Sequence, residues 1–300
     1  MKKILNKKLI VVLGPTASGK SELAIGLAKK FNGEIVSVDS RQVYKGMDIG
    51  TGKVTKKEMQ GIPHYLLDVA SPKRRFAVVQ YRKLALKAIN NIFKKGGVPI
   101  LCGGTGFYIQ AVVDGILIPE VKPDWKLRKK LEEKNTEQLY GLLKKLDPRR
   151  AKNIDKKNPR RLIRAIEIIE KTGKAVPDFK TNPLPYPVLF LGIKKTPAEL
   201  KTLIKKRLLK RLKIGMVKEV ENLHKSGLSW KRLEEFGLEY RQVVRYLGKK
   251  INYSEMIKIL QKEIEHYAKR QMTWFKRDNR IKWIKSYKNT KKLLNNFLKK

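Results

Sequence analysis

A glycine-rich loop near the start of the chain carries residue types that bind phosphate. The stretch GPTASGKS fits the pattern G-x-x-x-x-G-K-[ST], and its residues are Gly14, Pro15, Thr16, Ala17, Ser18, Gly19, Lys20 and Ser21. Backbone N–H groups of such a loop surround an anion, while Lys20 reaches the outer phosphate and the Ser21 hydroxyl holds Mg²⁺. The pattern therefore predicts a site for a di- or triphosphate, as in proteins that bind ATP and other nucleotides. It does not specify which phosphate is bound or what reaction follows.

Two polar residues follow predicted strands and are expected to face this loop. Three apolar runs predict buried strands, namely Leu9–Leu13, Glu34–Asp39 and Val98–Cys102. The phosphate loop joins the first strand to a predicted helix over Ser21–Phe31. Because the ends of parallel strands gather at one edge of a sheet, Asp39 and Thr105 should lie in the same crevice as the loop.

Each of these two residues has a chemical and a structural interpretation. The carboxylate of Asp39 can bind magnesium or act as a general base, and it can also simply cap the next turn. Thr105 stands in the turn Gly103–Gly106 (GGTG), where its hydroxyl can donate a hydrogen bond to a reacting group or serve only the turn.

The chain changes character from about Pro119, where charged helices replace the alternation of strands and helices. Helices are predicted over Asp124–Lys134, Thr136–Leu146 and Pro159–Thr172. Four prolines between Pro177 and Pro187 then indicate an extended return, and Val188–Ile193 resumes strand character. We therefore predict an α/β fold with a P-loop parallel-sheet core, residues 1–115 and 188–300, and a mostly helical insertion, residues 116–187.

The remainder of the core is predicted to be mostly helical. Helices are expected over Pro197–His224 and Tyr253–Lys276, followed by a last strand at Ile281–Ile284. The Lys/Asn-rich tail is expected to fray.

The charge of the chain favours a polyanionic partner. Lys and Arg number 70 against 27 Asp and Glu, which gives a formal net charge of +43. Such a field attracts nucleic acid, although a lysine-rich compositional bias would also spread solvated charge over the surface. Cys102 is the only cysteine, so no intrachain disulfide can form and the cytoplasm is the expected location. No segment approaches the roughly 20 apolar residues of a membrane span, and the three isolated histidines lack the spacing of zinc ligands.

Two basic stretches have spacing that suits RNA. In Arg160–Arg164 (RRLIR), Arg161 and Arg164 share a helix face and could clamp phosphates, or the face could merely be solvated. The stretch His266–Arg277 interleaves bases with aromatic residues, as single-stranded nucleic-acid surfaces do. Helical spacing also puts its Tyr267 and Trp274 on one side, which is equally typical of an amphipathic core helix.

Several motifs together resemble the tRNA dimethylallyltransferase family, also called tRNA isopentenyltransferases, of the bacterial single-subunit kind. They occur in family order over nearly the whole chain: Gly14–Ser21, Val38–Tyr44, Gly46–Thr51, Gly103–Tyr108, Asn158–Arg164 and Tyr267–Gln271. The resemblance implies transfer of a dimethylallyl group from dimethylallyl diphosphate to N6 of the adenosine immediately 3′ of the anticodon. It further implies tRNAs that read codons beginning with U, the anticodon stem-loop as partner, Mg²⁺ as cofactor and a monomeric protein.

The same resemblance assigns roles to matching positions. It implies that Gly14–Ser21 holds the donor diphosphate, that Asp39 is the general base, and that Thr105 and Arg128 flank the reactive channel. The implied tRNA contacts are Asp39, Ser40, Arg41, Gln42, Thr105, Arg128, Arg160, Arg161, Leu162, Ile163, Arg164, Phe236, Gly237, Leu238, Glu239, Tyr240 and Arg241. Two positions depart from the family pattern: Ser21 stands for the commoner Thr, and Glu239 stands where Gly is expected before Tyr240. An acid at that position would be unfavourable beside a tRNA backbone.

Three other functions are compatible with parts of the sequence. A small-molecule or nucleotide kinase would share the phosphate loop and could use Arg160–Arg164 as a lid. An isopentenyltransferase acting on free AMP or ADP would share the chemistry but would not need a basic helical insertion. A non-catalytic RNA-binding protein could retain a relic nucleotide loop.

Overall fold

The computed structural model describes residues 7–116, 119, 121–178, 180–284 and 287–299. The chain divides into two compact units. One runs up to Gly115 and resumes at Pro183, and the other spans Ile116–Asn182.

A parallel sheet forms the centre of the first unit. Within the described ranges it has six strands in the order β3-β2-β4-β1-β5-β6, each pair parallel. The strands are β1 (Leu9–Leu13), β2 (Gly33–Val38), β3 (His64–Tyr65), β4 (Val98–Gly103), β5 (Val188–Ile193) and β6 (Ile281–Ile284). The predicted parallel α/β core is confirmed. The sequence did not reveal the edge strand β3, because two residues are too few to show a period.

Residues of β1 alternate between two hydrophobic clusters, one on each face of the sheet. Leu9, Val11 and Leu13 pack into one cluster, while Ile10 and Val12 pack into the other. All five are buried, which is why the strand is apolar at every position and not only at alternate ones. The central strand, and the loop that follows it, are thus held from both sides.

Helices cover this sheet and form the second unit. Those before the insertion are α1 (Lys20–Lys30), α2 (Lys56–Met59), α3 (Val78–Lys94) and α4 (Gly106–Val113). Those of the second unit are α5 (Trp125–Glu132), α6 (Thr136–Leu146), α7 (Pro148–Asn153) and α8 (Pro159–Thr172). Those after the insertion are α9 (Pro197–Lys213), α10 (Met216–Lys225), α11 (Trp230–Glu235), α12 (Leu238–Leu247), α13 (Tyr253–Phe275) and α14 (Tyr287–Lys299). None of these helices has both the length and the apolar character that a membrane span requires, as far as the described residues go.

The predicted helical character of Pro197–His224 is confirmed, but the stretch is not one continuous helix. The chain forms α9 and α10 instead, with a break at Ile214 and Gly215. Gly215 has φ of +105°, a left-handed conformation that ends the helical path and that glycine adopts without a Cβ clash. The break lets the two helices approach one loop from different directions, as described below.

The predicted fraying of the tail is also wrong. Residues Tyr287–Lys299 form α14, in which Leu294 is fully buried and joins the hydrophobic cluster on the α1 side of the sheet. The Lys8 ammonium donates a hydrogen bond to the Leu298 carbonyl at 3.2 Å. Apolar residues at helical spacing therefore outweigh the high Lys and Asn content of this segment.

The first unit resumes at Pro183, within the predicted proline-rich return and before the predicted domain boundary at residue 188. Leu184 N donates to the Val113 carbonyl at 3.0 Å. Leu9 N donates to the Pro187 carbonyl at 3.1 Å. These bonds attach residues 183–187 to the first unit, so the later part of the proline-rich segment belongs to the core and the part before Pro183 to the second unit.

Candidate functional site

The loops that follow β1, β2 and β4 lie together, because these strands are neighbours in the sheet. Ser40 N donates to the Thr105 hydroxyl at 3.2 Å, and Thr105 N donates to the Val38 carbonyl at 3.2 Å. The turn after β2, which contains Asp39, is therefore bonded directly to the turn after β4. The sheet brings Asp39, Thr105 and the phosphate loop to one edge, as the sequence predicted for strand ends.

The phosphate loop is held by two side chains from helices distant in sequence. Thr16 N donates to the Gln271 side-chain oxygen at 2.8 Å, and the Thr16 hydroxyl accepts from Arg207 Nη1 at 3.2 Å. The Ser18 hydroxyl is buried and has no hydrogen-bond partner among the described residues. Thr16 thus anchors the loop to its surroundings, whereas the Ser18 hydroxyl remains available to a bound anion.

The Lys20 ammonium is enclosed by the loop, where it donates to the Pro15 carbonyl at 3.1 Å. Its pKa is lowered to about 8, chiefly by burial and also by the nearby Arg207 charge, while Cys102 and Asp39 act in the opposite direction. A buried ammonium with few facing anions favours the arrival of a negative ligand. The electrostatics of the loop therefore suit a diphosphate.

Asp39 presents one carboxylate oxygen to the backbone and leaves the other free. Its Oδ1 accepts from Arg41 N at 2.8 Å and from Gln42 N at 3.3 Å. Its Oδ2 makes no hydrogen bond to the residues that the structure describes. The two backbone bonds fix the orientation of the carboxylate, so that Oδ2 can accept a proton from a substrate.

Three buried phenols interact electrostatically with this carboxylate and remain protonated at neutral pH. Burial raises the pKa of Tyr81, Tyr108 and Tyr267, and the negative charge of Asp39 contributes to each rise. The rings of Tyr81 and Tyr108 stack with centroids 4.1 Å apart. The surroundings of Asp39 thus combine three neutral phenols with the positive charges of Lys20 and Arg207.

Helices α9 and α10 hold the loop that follows the Asp39 turn. Glu219 on α10 accepts hydrogen bonds from Asp48 N at 2.8 Å, Ile49 N at 2.6 Å and Gly50 N at 2.9 Å. Arg211 on α9 donates its Nε to the Ile49 carbonyl at 2.6 Å. The Glu219 carboxylate therefore accepts from N–H groups of this loop, while the Arg211 guanidinium donates to a carbonyl of the same loop.

The departure at Glu239 is compensated inside the protein. Its carboxylate forms an ion pair with Arg211 at 2.8 Å, and both side chains are nearly buried, with 13% and 9% exposed. The adjacent Tyr240 is buried and donates its hydroxyl to Glu219 at 2.8 Å. Glu239 belongs to the network that fixes the loop, and its charge is not presented uncompensated to a polyanion.

The predicted tRNA-binding residues of the first unit differ in accessibility. Phe236 is buried, and the Arg41 guanidinium lies 5.7 Å from the centroid of its ring. Arg241 is exposed, and Ser40, Arg41, Gln42, Gly237 and Leu238 are partly exposed. Phe236 and Tyr240 therefore pack behind the surface, and an RNA contact here falls to their exposed neighbours.

Of the two arginines predicted to bind phosphates in the second unit, Arg161 is exposed and Arg164 is engaged inside the protein. Arg160 and Arg161 are exposed on α8. Arg164 instead bonds Glu167 at 2.5 Å and the Val121 carbonyl at 2.9 Å. Their spacing puts Arg161 and Arg164 on one helix face. It does not show that Arg164 pairs with Glu167, one turn later in the same helix.

Glu167 organises the interior of the helical unit. It is fully buried and also accepts Arg128 Nε and Nη2 at 2.7 and 2.6 Å. Burial raises the pKa of Glu167, but the bonds from Arg128 and Arg164 outweigh that effect, so its pKa lies below the usual value. Leu162 and Ile163 are buried in the same core. The predicted residues Arg128, Leu162, Ile163 and Arg164 thus hold this unit together.

We expect opposite results from two neighbouring substitutions in α8. Arg164→Met should destabilise the protein by about 3 kcal/mol, because it removes a partner from a buried carboxylate. Arg161→Met should leave the unfolding midpoint unchanged and should lower the salt dependence of RNA binding. Thermal unfolding and filter binding at several salt concentrations measure both effects. Equal stability of the two variants would contradict a structural role for Arg164.

The sequence analysis did not single out Arg207 and Gln271. Arg207 and Arg211 are spaced four residues apart in a helix otherwise rich in lysine, and a planar guanidinium there indicates a need for two directed bonds. Gln271 lies within a motif of the family resemblance, and it shares a face of α13 with Tyr267 and Trp274. The spacing of these residues along α9 and α13 does not predict that both contact the phosphate loop.

Comparisons with known proteins agree over almost the whole chain. A family model described as IPP transferase matches residues 42–278. A tRNA dimethylallyltransferase of Acetivibrio thermocellus is 42% identical over 284 residues, covering 92% of this chain and 91% of the relative. The crystal structure of a full-length tRNA isopentenylpyrophosphate transferase from Bacillus halodurans has a TM-score of 0.72 and 33% identity, covering 98% and 96% of the two chains. A eukaryotic dimethylallyltransferase crystallised acting on tRNA has a TM-score of 0.76 and 30% identity, covering 89% of this chain and 69% of that one.

Proposed function

Because the chain belongs to the IPP transferase family, we propose that the loops at its sheet edge transfer a dimethylallyl group to tRNA. The protein is a prenyltransferase, and the resemblance noted from its motifs is confirmed. The finer proposal is that the acceptor is N6 of the adenosine immediately 3′ of the anticodon, in tRNAs reading codons that begin with U. The observation that supports it best is the direct bond between the Asp39 and Thr105 turns beside the phosphate loop.

Asp39 is proposed as the general base. Adenine N6 is a weak nucleophile because its lone pair is delocalised into the ring. As the N6–carbon bond forms and the carbon–oxygen bond to diphosphate breaks, the N6 proton passes to Asp39 Oδ2. The backbone bonds from Arg41 and Gln42 to Oδ1 keep the carboxylate in place during this step. Such a base typically contributes a rate factor of about 10²–10⁴.

The phosphate loop is proposed to bind the diphosphate of the donor and to stabilise it as it leaves. Negative charge accumulates on the departing oxygen, and the loop N–H groups, the Ser18 hydroxyl and the Lys20 ammonium are positioned to receive it. The Thr105 hydroxyl accepts a hydrogen bond from Ser40 N, and we propose that this bond holds the Asp39 turn in place beside the acceptor base.

The residues at the loop also fit magnesium. Among the described residues, no group of three or more His, Cys, Asp or Glu could form a protein cage for a metal. Mg²⁺ characteristically keeps several waters and binds through one or two protein oxygens plus substrate phosphates. The exposed Ser21 hydroxyl is the proposed protein ligand. When bound there, Mg²⁺ would neutralise charge on the leaving diphosphate.

The proposed partner is the anticodon stem-loop. The net charge of +43 supplies affinity that does not depend on sequence, and the exposed Arg160, Arg161 and Arg241 are the proposed phosphate contacts. The target base must leave its stack to reach Asp39, which favours a single-stranded loop over a helix as substrate. We further propose a cytoplasmic monomer, as the family resemblance implies.

The alternative functions predict different products. A kinase would transfer phosphate from ATP to a small acceptor, and an enzyme of free nucleotides would prenylate AMP or ADP without RNA. A non-catalytic RNA-binding protein would give no product. The relatives that match nearly the full length are called tRNA dimethylallyltransferases, which favours the tRNA reaction over all three.

The deciding experiment incubates the protein with dimethylallyl diphosphate, Mg²⁺ and unmodified tRNA. Nuclease digestion and mass spectrometry then show whether N6-dimethylallyladenosine forms next to the anticodon. Parallel reactions with AMP, with ADP, and with ATP plus small acceptors test the alternatives. Product in a parallel reaction and none on tRNA would overturn the proposal.

Arg207→Lys is expected to weaken use of the donor although it preserves the charge. Arg207 bonds the Thr16 hydroxyl through Nη1 and the Gly52 carbonyl through Nη2, at 3.2 and 3.0 Å. A lysine cannot span both acceptors with one planar group. The loss of one charge-assisted bond predicts a decrease of about 10-fold in kcat/KM for dimethylallyl diphosphate. Lys206→Arg, at an exposed position of the same helix, is the matched control. An unchanged kcat/KM for Arg207→Lys would show that charge alone matters at this position.

A further inference from the structure

The side chain of Gln271 bonds two loops of the site at once. It lies in α13 and is 7% exposed. Its oxygen accepts from Thr16 N at 2.8 Å, and its Nε2 donates to the Gly104 carbonyl at 2.9 Å. One primary amide thus connects the phosphate loop after β1 to the GGTG turn after β4.

The chemistry of this bridge is specific for an amide. One partner is a backbone donor and the other a backbone acceptor, so the side chain must offer one acceptor and one donor side by side. A carboxylate would put an acceptor against the Gly104 carbonyl, and an apolar residue would leave both backbone groups without these bonds. Position 271 therefore requires the amide group of Gln, and a side chain of the same size without that group would not replace it.

At two positions of the GGTG turn, side chains of α13 leave no room for a Cβ atom, so glycine is needed there for space and not for backbone conformation. A Cβ on Gly104 would lie 2.2 Å from Gln271 Nε2. A Cβ on Gly106 would lie 2.3 Å from Cδ1 of Trp274, which is on the same face of the helix. The residue between these glycines is Thr105, whose hydroxyl accepts from Ser40 N. The side chains of α13 thus press on the turn on both sides of Thr105.

We propose that Gln271 is a positioning residue that fixes the separation between the phosphate loop and the Thr105 turn. The inference rests on the proposed function, in which the first loop holds the departing diphosphate and the second faces the acceptor base. Transfer needs the N6 atom, the carbon and the leaving oxygen to be aligned, and small displacements of either loop disturb that alignment. Gln271 acts through these loops and does not itself touch the reacting atoms.

The first test replaces Gln271 by Ala. Turnover should fall by about 10²-fold, because misplacement by about 1 Å has costs of that order. The KM values for dimethylallyl diphosphate and tRNA should stay within about twofold, since the contacts to each substrate remain. Gln261→Ala is the matched control, because Gln261 lies in the same helix and its side chain donates to Glu265 within that helix, away from both loops. A normal turnover, or a loss of inorganic diphosphate binding in calorimetry equal to the loss of rate, would overturn the proposal.

The second test is a double-mutant cycle with Gly104→Ala. Alone, the new methyl group displaces the Gln271 amide, so this variant should lose as much turnover as Gln271→Ala. In the Gln271→Ala background the methyl group has room, so the second substitution should cost no further rate. Losses that multiply would show that Gly104 and Gln271 act independently and would refute the bridge.

The same assays distinguish this proposal from the proposed function. If the parent protein makes no N6-dimethylallyladenosine on tRNA, the function itself fails. If the parent is active and the cycle is multiplicative, only the role of Gln271 fails.

Discussion

Asp39→Asn is expected to abolish prenyl transfer while leaving the protein folded and able to bind tRNA. The amide oxygen can still accept the bonds from Arg41 N and Gln42 N, so the turn should keep its shape. What is lost is the oxygen that receives the N6 proton, since a neutral amide is not a base. Single-turnover rates at saturating dimethylallyl diphosphate and tRNA should fall by about 10²–10⁴-fold.

Asp68→Asn is the control for this substitution. Asp68 lies near the Asp39 turn, since Asp68 N donates to the Gln42 carbonyl at 3.3 Å, and its side chain pairs with Lys53 at 2.5 Å and is 48% exposed. Its loss should cost little stability and no more than about twofold in rate, because the Asp68 side chain is half-exposed and the buried Lys53 keeps its ion pair with Asp48 at 2.5 Å. Full activity of Asp39→Asn would require another base, and the neighbouring Tyr108 and Tyr267 are unsuited because burial keeps them protonated.

The sheet and its functional edge could be predicted from short-range patterns. The strand Leu9–Leu13 is apolar at every position, and a glycine-rich loop follows it immediately. This order of elements is typical of the carboxyl end of a buried parallel strand. The positions of Asp39 and Thr105 then follow from the same rule applied to two more strands. These predictions succeed because each depends on a segment of about ten residues or fewer.

The supporting contacts could not be predicted, because they join residues far apart in the chain. Gln271 and Arg207 both bond Thr16, and nothing in the spacing of α9 or α13 indicates that partner. Glu239 appeared unfavourable for RNA binding because its partner Arg211 lies on a different helix. Local patterns show which faces are apolar, whereas the pairing of buried polar groups depends on how helices pack in three dimensions.

Arg164 shows the same limit within a single helix. Its spacing from Arg161 suggested a pair of phosphate ligands, but Glu167 follows at helical spacing and is fully buried. A carboxylate in the core needs positive partners, and the nearest arginine on its own helix supplies one. The distinction between a ligand-binding arginine and a structural one thus depends on the burial of a third residue.

Lys20→Met is expected to abolish catalysis and at the same time to stabilise the protein. Removing a charged donor from the site of the leaving group should cost about 10²–10³-fold in turnover. The folded state, however, holds the Lys20 ammonium at a pKa of about 8 instead of 10.5, so enclosing the charged form is unfavourable. Methionine avoids that cost, and at pH 7 it should raise the free energy of unfolding by up to about 3 kcal/mol.

The gain in stability should depend on pH in a defined direction. Below pH 8 the lysine is protonated in both the folded and the unfolded state, and the full cost of enclosing its charge is present. Between pH 8 and 10.5 only the unfolded state keeps the proton, so the stability of the parent rises with pH toward that of the variant. Urea unfolding of both proteins from pH 7 to 10 measures this difference, in which contributions from other groups cancel.

Diphosphate binding should show the complementary dependence. Bound diphosphate places negative charge beside Lys20 and raises its pKa, so binding above pH 8 takes up a proton. The affinity of the parent for inorganic diphosphate, relative to Lys20→Met, should therefore fall by up to about tenfold for each pH unit above 8. A variant less stable than the parent, with the same pH dependence of binding, would mean that the Lys20 charge is already neutralised in the free loop. In that case the loop would not be electrostatically prepared for the leaving group.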